Sequence, residues 1–326
     1  MIVIDRDLVS ELLSMEACIG LMEEALKDLS AGQAEQQLRS VVPVRDGGLM
    51  GLMPAYLVRE NIVGAKLISV FPHNHSAGLP SHQGVIALFD AGNGEMKAVV
   101  DARQVTAIRT AAVSAAATKL LAKADSRSLA LIGTGEQARS HLEAILHVRP
   151  IERVSFWSRN SEHARTFQSE MSAKYGKRLT VTASETAEQA VQSADIICTI
   201  TSSTTPVLQS EWIADGAHIN AVGACRPNDR ELATGIVQRS SLYVDRRESA
   251  ENEAGDYLIP LNEGAFGSNH IVGELGEALL GRIPGRISEQ QLTLFKSLGL
   301  AVEDLAAAAY VYSQANQQGK GVTIAI

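Results

Sequence analysis

The chain has 326 residues, of which 45% are hydrophobic and 20% are charged, and its formal net charge is −8. This composition is typical of a folded globular protein, and the length is sufficient for two domains. The acidic balance and the 4% aromatic content argue against a nucleic-acid partner, because they indicate neither a basic patch nor a base-stacking surface.

The cysteines and the apolar runs bear on the cellular compartment. Three widely spaced cysteines, Cys18, Cys198 and Cys225, match neither a disulfide framework nor a zinc site. The first residues lack the charged start and apolar core of a signal peptide, and no apolar run reaches the roughly 20 residues that span a bilayer. We therefore expect a cytoplasmic protein without a membrane partner.

The first hundred residues predict a helix followed by a sheet. Apolar side chains recur at helical spacing from Asp5 to about Gly32, where the glycine indicates the end of the helix. Short β runs with turn signals between them follow, and they predict an antiparallel or mixed sheet with one flanking helix. The predicted strands are 40–44, 49–53, 64–70, 84–90 and 96–101.

The rest of the chain predicts an alanine-rich helix and then alternating strands and helices. The helix covers 107 to about 122. Predicted strands follow at 128–132, 153–157, 179–183, 195–200, 217–222 and 242–245. This alternation predicts a doubly wound parallel sheet and therefore an α/β fold. From 275 onward the chain is predicted to be helical again, with an alanine-rich segment at 302–314.

The segment from Ser128 to Ala138 predicts a dinucleotide-binding turn. An apolar β run ends in the pattern Gly-x-Gly-x-x-Ala, and a helical pattern follows at once. Gly133 permits a tight turn, Gly135 lets the backbone approach a pyrophosphate, and Ala138 lets helix and strand pack closely. The N–H groups at the start of the helix attract phosphate. The alternative is a glycine-rich turn without a ligand.

The end of the next predicted strand bears on which cofactor is used. In dinucleotide-binding folds an acidic residue at this point binds the ribose 2′-hydroxyl, but here the strand runs into Ser158, Arg159 and Asn160. A guanidinium and two small hydrogen-bonding side chains suit a 2′-phosphate instead. This predicts NADP(H), with Arg159 as the phosphate ligand. The alternative is NAD(H), with Arg159 as a solvated loop residue.

Three cations in the first domain are candidates for binding a substrate, because each lies among apolar or small residues. They are Arg39, Lys66 and Arg109. A lysine inside a strand is costly unless its ammonium group meets a polar partner or a ligand. Together the three side chains predict a clamp for a substrate carboxylate. The alternatives are structural ion pairs and side chains that extend to solvent.

Three histidines follow the third predicted strand. His82, in the run Pro80-Ser81-His82-Gln83, is a candidate proton donor, although a lone histidine is more often structural. His73 and His75 do not complete a metal-ligand set with it, so no metal is predicted. The segment 71–78 is predicted to be a polar surface loop.

Seven segments resemble the ornithine cyclodeaminase/mu-crystallin family, in order and nearly end to end. They are 39–44, 53–56, 80–83, 109–115, 132–138, 216–224 and 295–304. The resemblance implies a homodimer built through the first domain and an active site between that domain and a Rossmann domain. The implied Rossmann NAD(P)-binding domain covers 121–304. The implied α+β substrate-binding and dimerisation domain covers 1–120, and a C-terminal helix at about 305–326 joins it.

The resemblance also assigns roles to individual residues. Arg39, Lys66 and Arg109 fall on the family's substrate-carboxylate and catalytic positions. The implied cofactor-binding residues are Gly133, Thr134, Gly135, Glu136 and Gln137 in the phosphate loop, Ser158, Arg159 and Asn160 at the 2′-phosphate, Thr201 and Ser202 along the cofactor, and Val222, Gly223, Ser297 and Gly299 near the nicotinamide.

One position departs from the cyclodeaminases of the family. The aspartate that handles the substrate amine in those enzymes aligns with Cys225 here. This difference favours reduction of a ketimine or cyclic imine of a 2-oxo acid, such as 1-pyrroline-2-carboxylate or 1-piperideine-2-carboxylate, to the amino acid. The alternatives are an ornithine cyclodeaminase-type lyase, an amino acid dehydrogenase, and a non-enzymatic NADPH-dependent binder of a small ligand.

Overall fold

The computed structural model describes residues 1–325, apart from the side chains of residues 75–77. The strands are β1 Ile2–Ile4, β2 Ala34–Gln36, β3 Ser40–Pro43, β4 Leu49–Leu57, β5 Ile62–Val70, β6 His82–Asp90, β7 Met96–Asp101, β8 Ser128–Ile132, β9 Arg153–Trp157, β10 Thr180–Ala183, β11 Ile196–Thr199, β12 His218–Ala221, β13 Ser241–Val244, β14 Ile271–Glu274, β15 Thr293–Lys296 and β16 Val322–Thr323.

The helices complete this inventory. They are α1 Arg6–Leu12, α2 Met15–Ser30, α3 Ala102–Leu121, α4 Glu136–Val148, α5 Ser161–Tyr175, α6 Ala187–Val191, α7 Thr234–Arg239, α8 Arg247–Glu253, α9 Gly255–Asn262, α10 Leu275–Leu279 and α11 Ala301–Gln318. Short 3-10 helices lie at Arg45–Gly47, Pro72–Ala77, Gly176–Arg178, Ser210–Trp212 and Ser268–His270. Among the described residues, no helix has the length and apolarity that crossing a bilayer requires.

The first compact unit consists of Met1–Arg109 and the chain from Gly299 onward. Its sheet has the order β16-β1-β7-β6-β5-β4-β2, and β3 pairs with β4. β1 is parallel to β7, whereas β4, β5, β6 and β7 form an antiparallel series, so the prediction of a mixed sheet is confirmed. α11 packs against α2 and against β4, β5 and β6. One face of these strands is therefore covered by α11.

The second unit, Thr110–Leu298, is built on a parallel sheet. Its order is β10-β9-β8-β11-β12-β15-β13-β14, and the paired strands are all parallel. The chain leaves β8 for β9 and β10 on one side and returns to β11 on the other, so the strand order reverses between β8 and β11. Ligands of such sheets bind beyond the carboxyl ends of the strands at this reversal. The predicted Rossmann-type fold class is confirmed.

The predicted single helix from Asp5 to Gly32 is wrong, because the structure has two helices there. Ser14 separates them, and its side chain accepts a hydrogen bond from the Ala17 N–H at 3.2 Å. A serine that caps a helix in this way has extended backbone angles, so the helix before it must end. Ser14 is a residue type that often starts a helix, but the apolar spacing continues across it and predicts one uninterrupted helix.

The predicted helical continuation after 275 is wrong at 293–296. These residues form β15, which pairs with β12 and β13, and all of them are buried. Strands in parallel sheets are covered on both faces, so a short apolar run such as this one can be either a strand or a buried helix segment. Length and flanking residues did not decide between them here.

One helix boundary and one loop also differ from the predictions. α3 begins at Ala102 rather than at 107, because the Asp101 side chain accepts a hydrogen bond from the Gln104 N–H at 2.7 Å and so caps the helix. The segment predicted as a polar loop at 71–78 contains the 3-10 helix Pro72–Ala77.

Candidate functional site

The turn after β8 has the geometry of a phosphate site. Gly133 has φ +116°, and a Cβ atom added there would lie 2.8 Å from the carbonyl oxygen of Ile200, so the position requires glycine. A Cβ atom added at Gly135 would meet no described atom within 4 Å, and no side-chain cap was found at the start of α4 in the described residues. The N–H groups at the start of this helix are therefore available to an anion.

A side chain that the sequence analysis missed holds the backbone of this turn. Nη1 of Arg139 donates to the carbonyl oxygens of Thr134 and Gly135, at 2.9 and 3.0 Å. The guanidinium also lies over the ring of Phe167, 5.5 Å from its centroid. Arg139 lies four residues after Gly135, which is the spacing that returns a side chain to the same face of a helix. That four-residue spacing is the sequence feature from which the contact of Arg139 with the turn could have been predicted.

The phosphate loop also contains a buried polar atom that has no hydrogen-bond partner among the described residues. Oε1 of Gln137 is buried and has no hydrogen-bond partner among the described residues, whereas Glu136 is exposed. The two ends of an amide interchange by rotation, so Gln137 can present its N–H groups to a phosphate oxygen. The glycine turn, the helix start and this amide together fit a phosphate-bearing nucleotide cofactor.

The three residues predicted to bind a 2′-phosphate follow β9 but have different surroundings. Asn160 caps α5, since its Oδ1 accepts hydrogen bonds from the N–H groups of Glu162 and His163 at 2.9 and 3.1 Å. Ser158 Oγ accepts from the Asn160 N–H at 3.3 Å. Arg159 is exposed, with no hydrogen bond or ion pair to the part of the chain that the structure describes. Its guanidinium is available to an anion.

A buried carboxylate, which the sequence analysis did not find, connects the loops that follow β11 and β12. Oε1 of Glu231 accepts hydrogen bonds from the N–H and the Oγ1 hydroxyl of Thr201, both at 2.7 Å. Oε2 accepts from Thr199 Oγ1 at 2.9 Å and from the Gly223 N–H at 2.8 Å. One side chain therefore holds two of the predicted cofactor residues, Thr201 and Gly223.

Gly223 has to be glycine at this position. A Cβ atom added to it would lie 2.1 Å from the Thr201 carbonyl oxygen and 2.6 Å from Glu231 Oε1. Neither neighbour can move freely, because one is backbone and the other is a fully hydrogen-bonded carboxylate. The close approach of the two loops thus depends on the missing side chain.

A buried ion pair between Asp256 and Lys296 contacts the backbone of Glu231. Oδ1 of Asp256 accepts from the N–H groups of Glu231 and Leu232, at 2.9 and 3.0 Å, and its Oδ2 lies 3.0 Å from Lys296 Nζ. Burial raises the pKa of Glu231, Asp256 adds to the effect and Lys296 opposes it. Burial alone would lower the pKa of Lys296, but Asp256, Cys225 and Glu231 together outweigh burial and the pKa is raised. Lys296 is therefore a permanent cation of this unit.

The remaining predicted cofactor residues are divided between the two units. Ser202 is exposed and Val222 is buried, both beyond the carboxyl ends of their strands. Ser297 follows β15, and its buried Oγ has no hydrogen-bond partner in the described part of the chain. Gly299 belongs to the first unit.

In the first unit, two of the predicted cations meet two carboxylates at the start of α11. Lys66 Nζ lies 2.5 Å from Asp304 Oδ2, and Arg109 Nε donates to Asp304 Oδ1 at 2.8 Å. Nη1 of Arg109 donates to Glu303 Oε2 at 2.8 Å. All four side chains are at most 5% exposed. The ion pairs that the sequence left open as an alternative are therefore present.

Arg39 joins the same cluster through Gly299, two residues before α11. Its Nη2 donates to the carbonyl oxygen of Gly299 at 3.3 Å. Gly299 has φ +80°, and a Cβ atom added there would lie 2.7 Å from Nη1 of Arg109. The structure thus brings Arg39, Lys66 and Arg109 together. We call these three residues, with Glu303 and Asp304, the cation cluster.

The electrostatics of the cation cluster favour an added anion. Lys66 and Arg109 offset the charges of Glu303 and Asp304 when Lys66 is protonated, and Arg39 adds a third cation beside them. Burial lowers the pKa of Lys66 to about 8, although Asp304 opposes the shift. For Asp304 itself, burial alone would raise the pKa, but Arg109 and Lys66 outweigh burial and lower it. A substrate carboxylate that pairs with these cations would offset part of the cost of burying them.

His82 does not lie in the cation cluster. It is exposed at the first position of β6, where its Nδ1 lies 2.9 Å from Ser81 Oγ. Its backbone pairs with Val70, whereas Lys66 pairs with Ile86. These pairs are four residues apart along the ladder, or about 13 Å. The role of His82 as a proton donor has no support from this placement.

The histidines considered as metal ligands can be placed only in part. His73 is exposed, and the side chain of His75 lies outside the described residues. Within the described residues, no group of three or more His, Cys, Asp or Glu side chains could hold a metal ion.

Comparison with known proteins gives consistent relatives along the whole chain. The model of the ornithine cyclodeaminase/mu-crystallin family matches residues 2–319. Ketimine reductase mu-crystallin of Mus musculus is 41% identical over 311 residues, which cover 94% of this chain and 95% of that protein.

Two solved structures are similar in fold and in sequence. The Δ1-pyrroline-2-carboxylate reductase of Thermococcus litoralis, in complex with NADH and L-proline, has a TM-score of 0.96 and 37% identity, covering 99% of this chain and 100% of its own. An archaeal alanine dehydrogenase dimer with bound NAD has a TM-score of 0.94 and 30% identity, covering 100% and 99%. With a family model that matches almost every residue, the chain belongs to the ornithine cyclodeaminase/mu-crystallin family.

Proposed function

We propose that the chain is an NAD(P)H-dependent imine reductase, which converts the C=N bond of a ketimine or cyclic imine of a 2-oxo acid into the amine of an amino acid. The observation that carries the proposal is the cation cluster, in which two buried cations, Lys66 and Arg109, lie beside the half-buried Arg39. The relatives named above, which include a ketimine reductase and a Δ1-pyrroline-2-carboxylate reductase, support the same class of reaction.

The net reaction adds a hydride to the carbon and a proton to the nitrogen of the C=N bond. A bound nicotinamide cofactor supplies the hydride. Arg39 and Arg109 bind the substrate carboxylate and so fix the position of the neighbouring C=N carbon. Lys66 contacts the carboxylate or delivers the proton to the nitrogen, directly or through water, for which a pKa of about 8 is well suited.

Cys225 bears on which reaction within the family takes place. Its Sγ donates to the carbonyl oxygen of Val222 at 3.4 Å, at the position where the sequence resemblance places an aspartate in cyclodeaminases. A thiol cannot provide the fixed carboxylate that handles a second substrate amine. This supports reduction over cyclodeamination.

The test is a substrate panel in which oxidation of NADPH and NADH is followed by absorbance. The panel contains 1-pyrroline-2-carboxylate, 1-piperideine-2-carboxylate, iminosuccinate, and pyruvate with ammonia or methylamine. The matched control compound is 1-pyrroline, which has the ring and the C=N bond but no carboxylate. We expect at least one carboxylated imine to be reduced, and 1-pyrroline to be reduced at least about a hundredfold less efficiently, since charged hydrogen bonds of this kind contribute about 1.5–3 kcal/mol each.

Two results would contradict the proposal. One is reduction of 1-pyrroline as efficiently as its carboxylated counterpart, because the cation cluster would then have no function in binding. The other is release of ammonia from ornithine without net change in the cofactor, because the chain would then act as a cyclodeaminase.

We further propose a preference for NADP(H) over NAD(H). The exposed Arg159 guanidinium and the hydroxyl of Ser158 lie at the end of β9, where a dinucleotide-binding fold places the adenine ribose. We expect a higher kcat/KM for NADPH than for NADH, and Arg159→Ala should remove most of the difference by raising the KM for NADPH. Equal kcat/KM values for the two cofactors in the wild-type chain would contradict this preference.

We also propose that the chain forms a homodimer through the first unit. The sheet face opposite α11 carries exposed apolar side chains, and Leu52, Leu67 and Val85 are paired neighbours in one row across β4, β5 and β6. The exposed members of this face include Val42, Met50, Leu52, Val63 and Val85. Contiguous apolar surface of this kind marks an interface. The archaeal alanine dehydrogenase to which the chain is similar is a dimer.

A further inference from the structure

Glu231 places a buried negative charge behind two loops that the family resemblance assigns to the cofactor, Thr201 along it and Gly223 near the nicotinamide. It is fully buried, and its four hydrogen bonds go to Thr199, Thr201 and Gly223. Two of the donors are backbone N–H groups, which cannot accept a proton in return. The two oxygens are thereby saturated with donors, which is the arrangement that an ionised carboxylate needs.

The nearby charges do not cancel that of Glu231. Asp256 and Lys296 form a pair at 3.0 Å and are 2% and 1% exposed. Their charges offset each other, so the three residues together carry one net negative charge. That charge lies beneath Thr201 and Gly223, beyond the carboxyl ends of β11 and β12, where ligands of such sheets bind.

A nicotinamide ring changes charge during the reaction, which makes it sensitive to such a field. When the hydride leaves with its two electrons, the neutral ring becomes a cation. We propose that Glu231 stabilises the oxidised, cationic form of the bound cofactor relative to the reduced form, and so makes the bound cofactor a stronger hydride donor. Glu231 acts through Thr201 and Gly223 as a positioning residue and across space as a fixed charge. This inference rests on the proposed function, because it requires the nicotinamide at those two loops.

The experiment measures the dissociation constants of the oxidised and the reduced cofactor by calorimetric and fluorescence titration, without substrate. Glu231→Gln keeps the shape of the side chain and removes its charge. We expect the ratio of the dissociation constant of the oxidised form to that of the reduced form to rise roughly tenfold, because a fixed unit charge interacts with the cationic ring but not with the neutral one. Loosened loops alone would weaken the binding of both forms by the same factor.

In Glu231→Gln the amide N–H group would face hydrogen-bond donors, which could impair folding. Two further variants keep the test decisive in that case. Lys296→Met removes the positive charge of the pair, so the same ratio should fall. The double variant Asp256→Asn with Lys296→Met removes the pair without changing the net charge, and it keeps an Oδ1 acceptor for the Glu231 and Leu232 N–H groups. Its ratio should stay within about twofold of the wild-type value, because the net charge that the ring experiences is unchanged.

The outcomes separate the inference from the proposed function. An unchanged ratio in Glu231→Gln, or a shift in the same direction in Glu231→Gln and Lys296→Met, would overturn the inference while cofactor binding itself persisted. A wild-type chain that binds neither form of NADP or NAD would instead overturn the proposed function, and the inference with it.

Discussion

Asp304 is the residue that holds both Lys66 and Arg109 in the cation cluster. It is fully buried, and each of its oxygens is paired with one of the two cations. Asp304→Asn keeps the shape but leaves buried positive charges uncompensated. We expect the free energy of unfolding to fall by about 3 kcal/mol, as for other buried ion pairs that lose one partner. Denaturation by urea in the absence of cofactor measures it.

An exposed ion pair elsewhere in the chain is the matched control. Glu143 and Lys174 lie 2.8 Å apart, with side chains 40% and 53% exposed. Glu143→Gln removes the same charge and should change the free energy of unfolding by less than about 1 kcal/mol. Equal effects of the two substitutions would show that the burial of Asp304 has no energetic consequence.

Lys66 should control the alkaline limb of the pH profile. Burial lowers its pKa to about 8, so the free enzyme loses this cation as the pH rises through that value. If the protonated form is the one that binds carboxylate or donates the proton, kcat/KM should be high below pH 8 and should fall above it. Profiles of kcat/KM for one carboxylated imine measure this limb.

The same variant of Asp304 tests the assignment of that limb to Lys66. Asp304 raises the pKa of Lys66, so Asp304→Asn should move the falling limb to lower pH. The substrate is the same in both profiles, and its own titration therefore cancels in the comparison. An identical limb in both enzymes would mean that a group other than Lys66 is titrating.

The sequence revealed the cations of the site but not their partners. Lys66 and Arg109 could be predicted as site residues because a charged side chain among apolar residues is costly to bury unless it meets a partner or a ligand. Glu303 and Asp304 were not, because acidic residues in the first turn of a helix are usual whatever they contact. Arg109 and Asp304 are 195 residues apart in the chain, and no local pattern connects residues at that distance. The roles of these residues in binding and catalysis stay predictions.

At the scale of elements, the turn between β8 and α4 contains two glycines with different functions. The fold requires Gly133, whereas Gly135 is required only for cofactor binding. Gly133→Ala introduces a Cβ at φ +116°, close to backbone, and should lower both stability and cofactor affinity. The Cβ atom added by Gly135→Ala would have no described atom within 4 Å, and the φ of −76° at this position suits any residue. It should leave Tm unchanged without cofactor but weaken NADPH binding at least tenfold, because the methyl group would keep the pyrophosphate away.

Thermal melts with and without NADPH, together with titrations, distinguish these variants. The wild-type chain should gain Tm from the cofactor, whereas Gly135→Ala should gain little at the same concentration. Unimpaired NADPH binding by Gly135→Ala would contradict the placement of the pyrophosphate at this turn.

The elements that could be predicted are those with a local signal. The predicted strands at 128–132 and 153–157 are confirmed as β8 and β9, because apolar runs there are bounded by glycine or polar turns. β1, β2 and β16 are strands of two or three residues, too short for a periodic pattern. β15 has a pattern but an ambiguous one, and only its neighbours β12 and β13 settle its conformation. Pairing partners are a property of the folded chain.

At the scale of the whole molecule, the apolar sheet face of the first unit predicts the oligomeric state. Leu52 and Val85 are exposed on this face, in the same row across the sheet. Light scattering should give about twice the chain mass of 34.8 kDa for the wild-type protein and the mass of one chain for Leu52→Lys with Val85→Lys. The charged pair would be buried without partners in a dimer, at a cost of several kcal/mol.

A wild-type protein that is monomeric at micromolar concentration would contradict the proposed dimer. Ile287→Lys is the control, because this exposed apolar residue belongs to the other unit. It should leave the mass unchanged.

The most direct test of the central claim is a crystal structure of the chain with oxidised cofactor and a cyclic amino acid product, such as L-proline or L-pipecolate. The distances to measure are those from the product carboxylate to Lys66 Nζ and to the guanidinium groups of Arg39 and Arg109. We predict hydrogen bonds of about 2.7–3.2 Å to Lys66 and to at least one arginine. A product carboxylate bound away from all three cations, with the contacts of Lys66 and Arg109 to Glu303 and Asp304 unchanged, would contradict the proposed function.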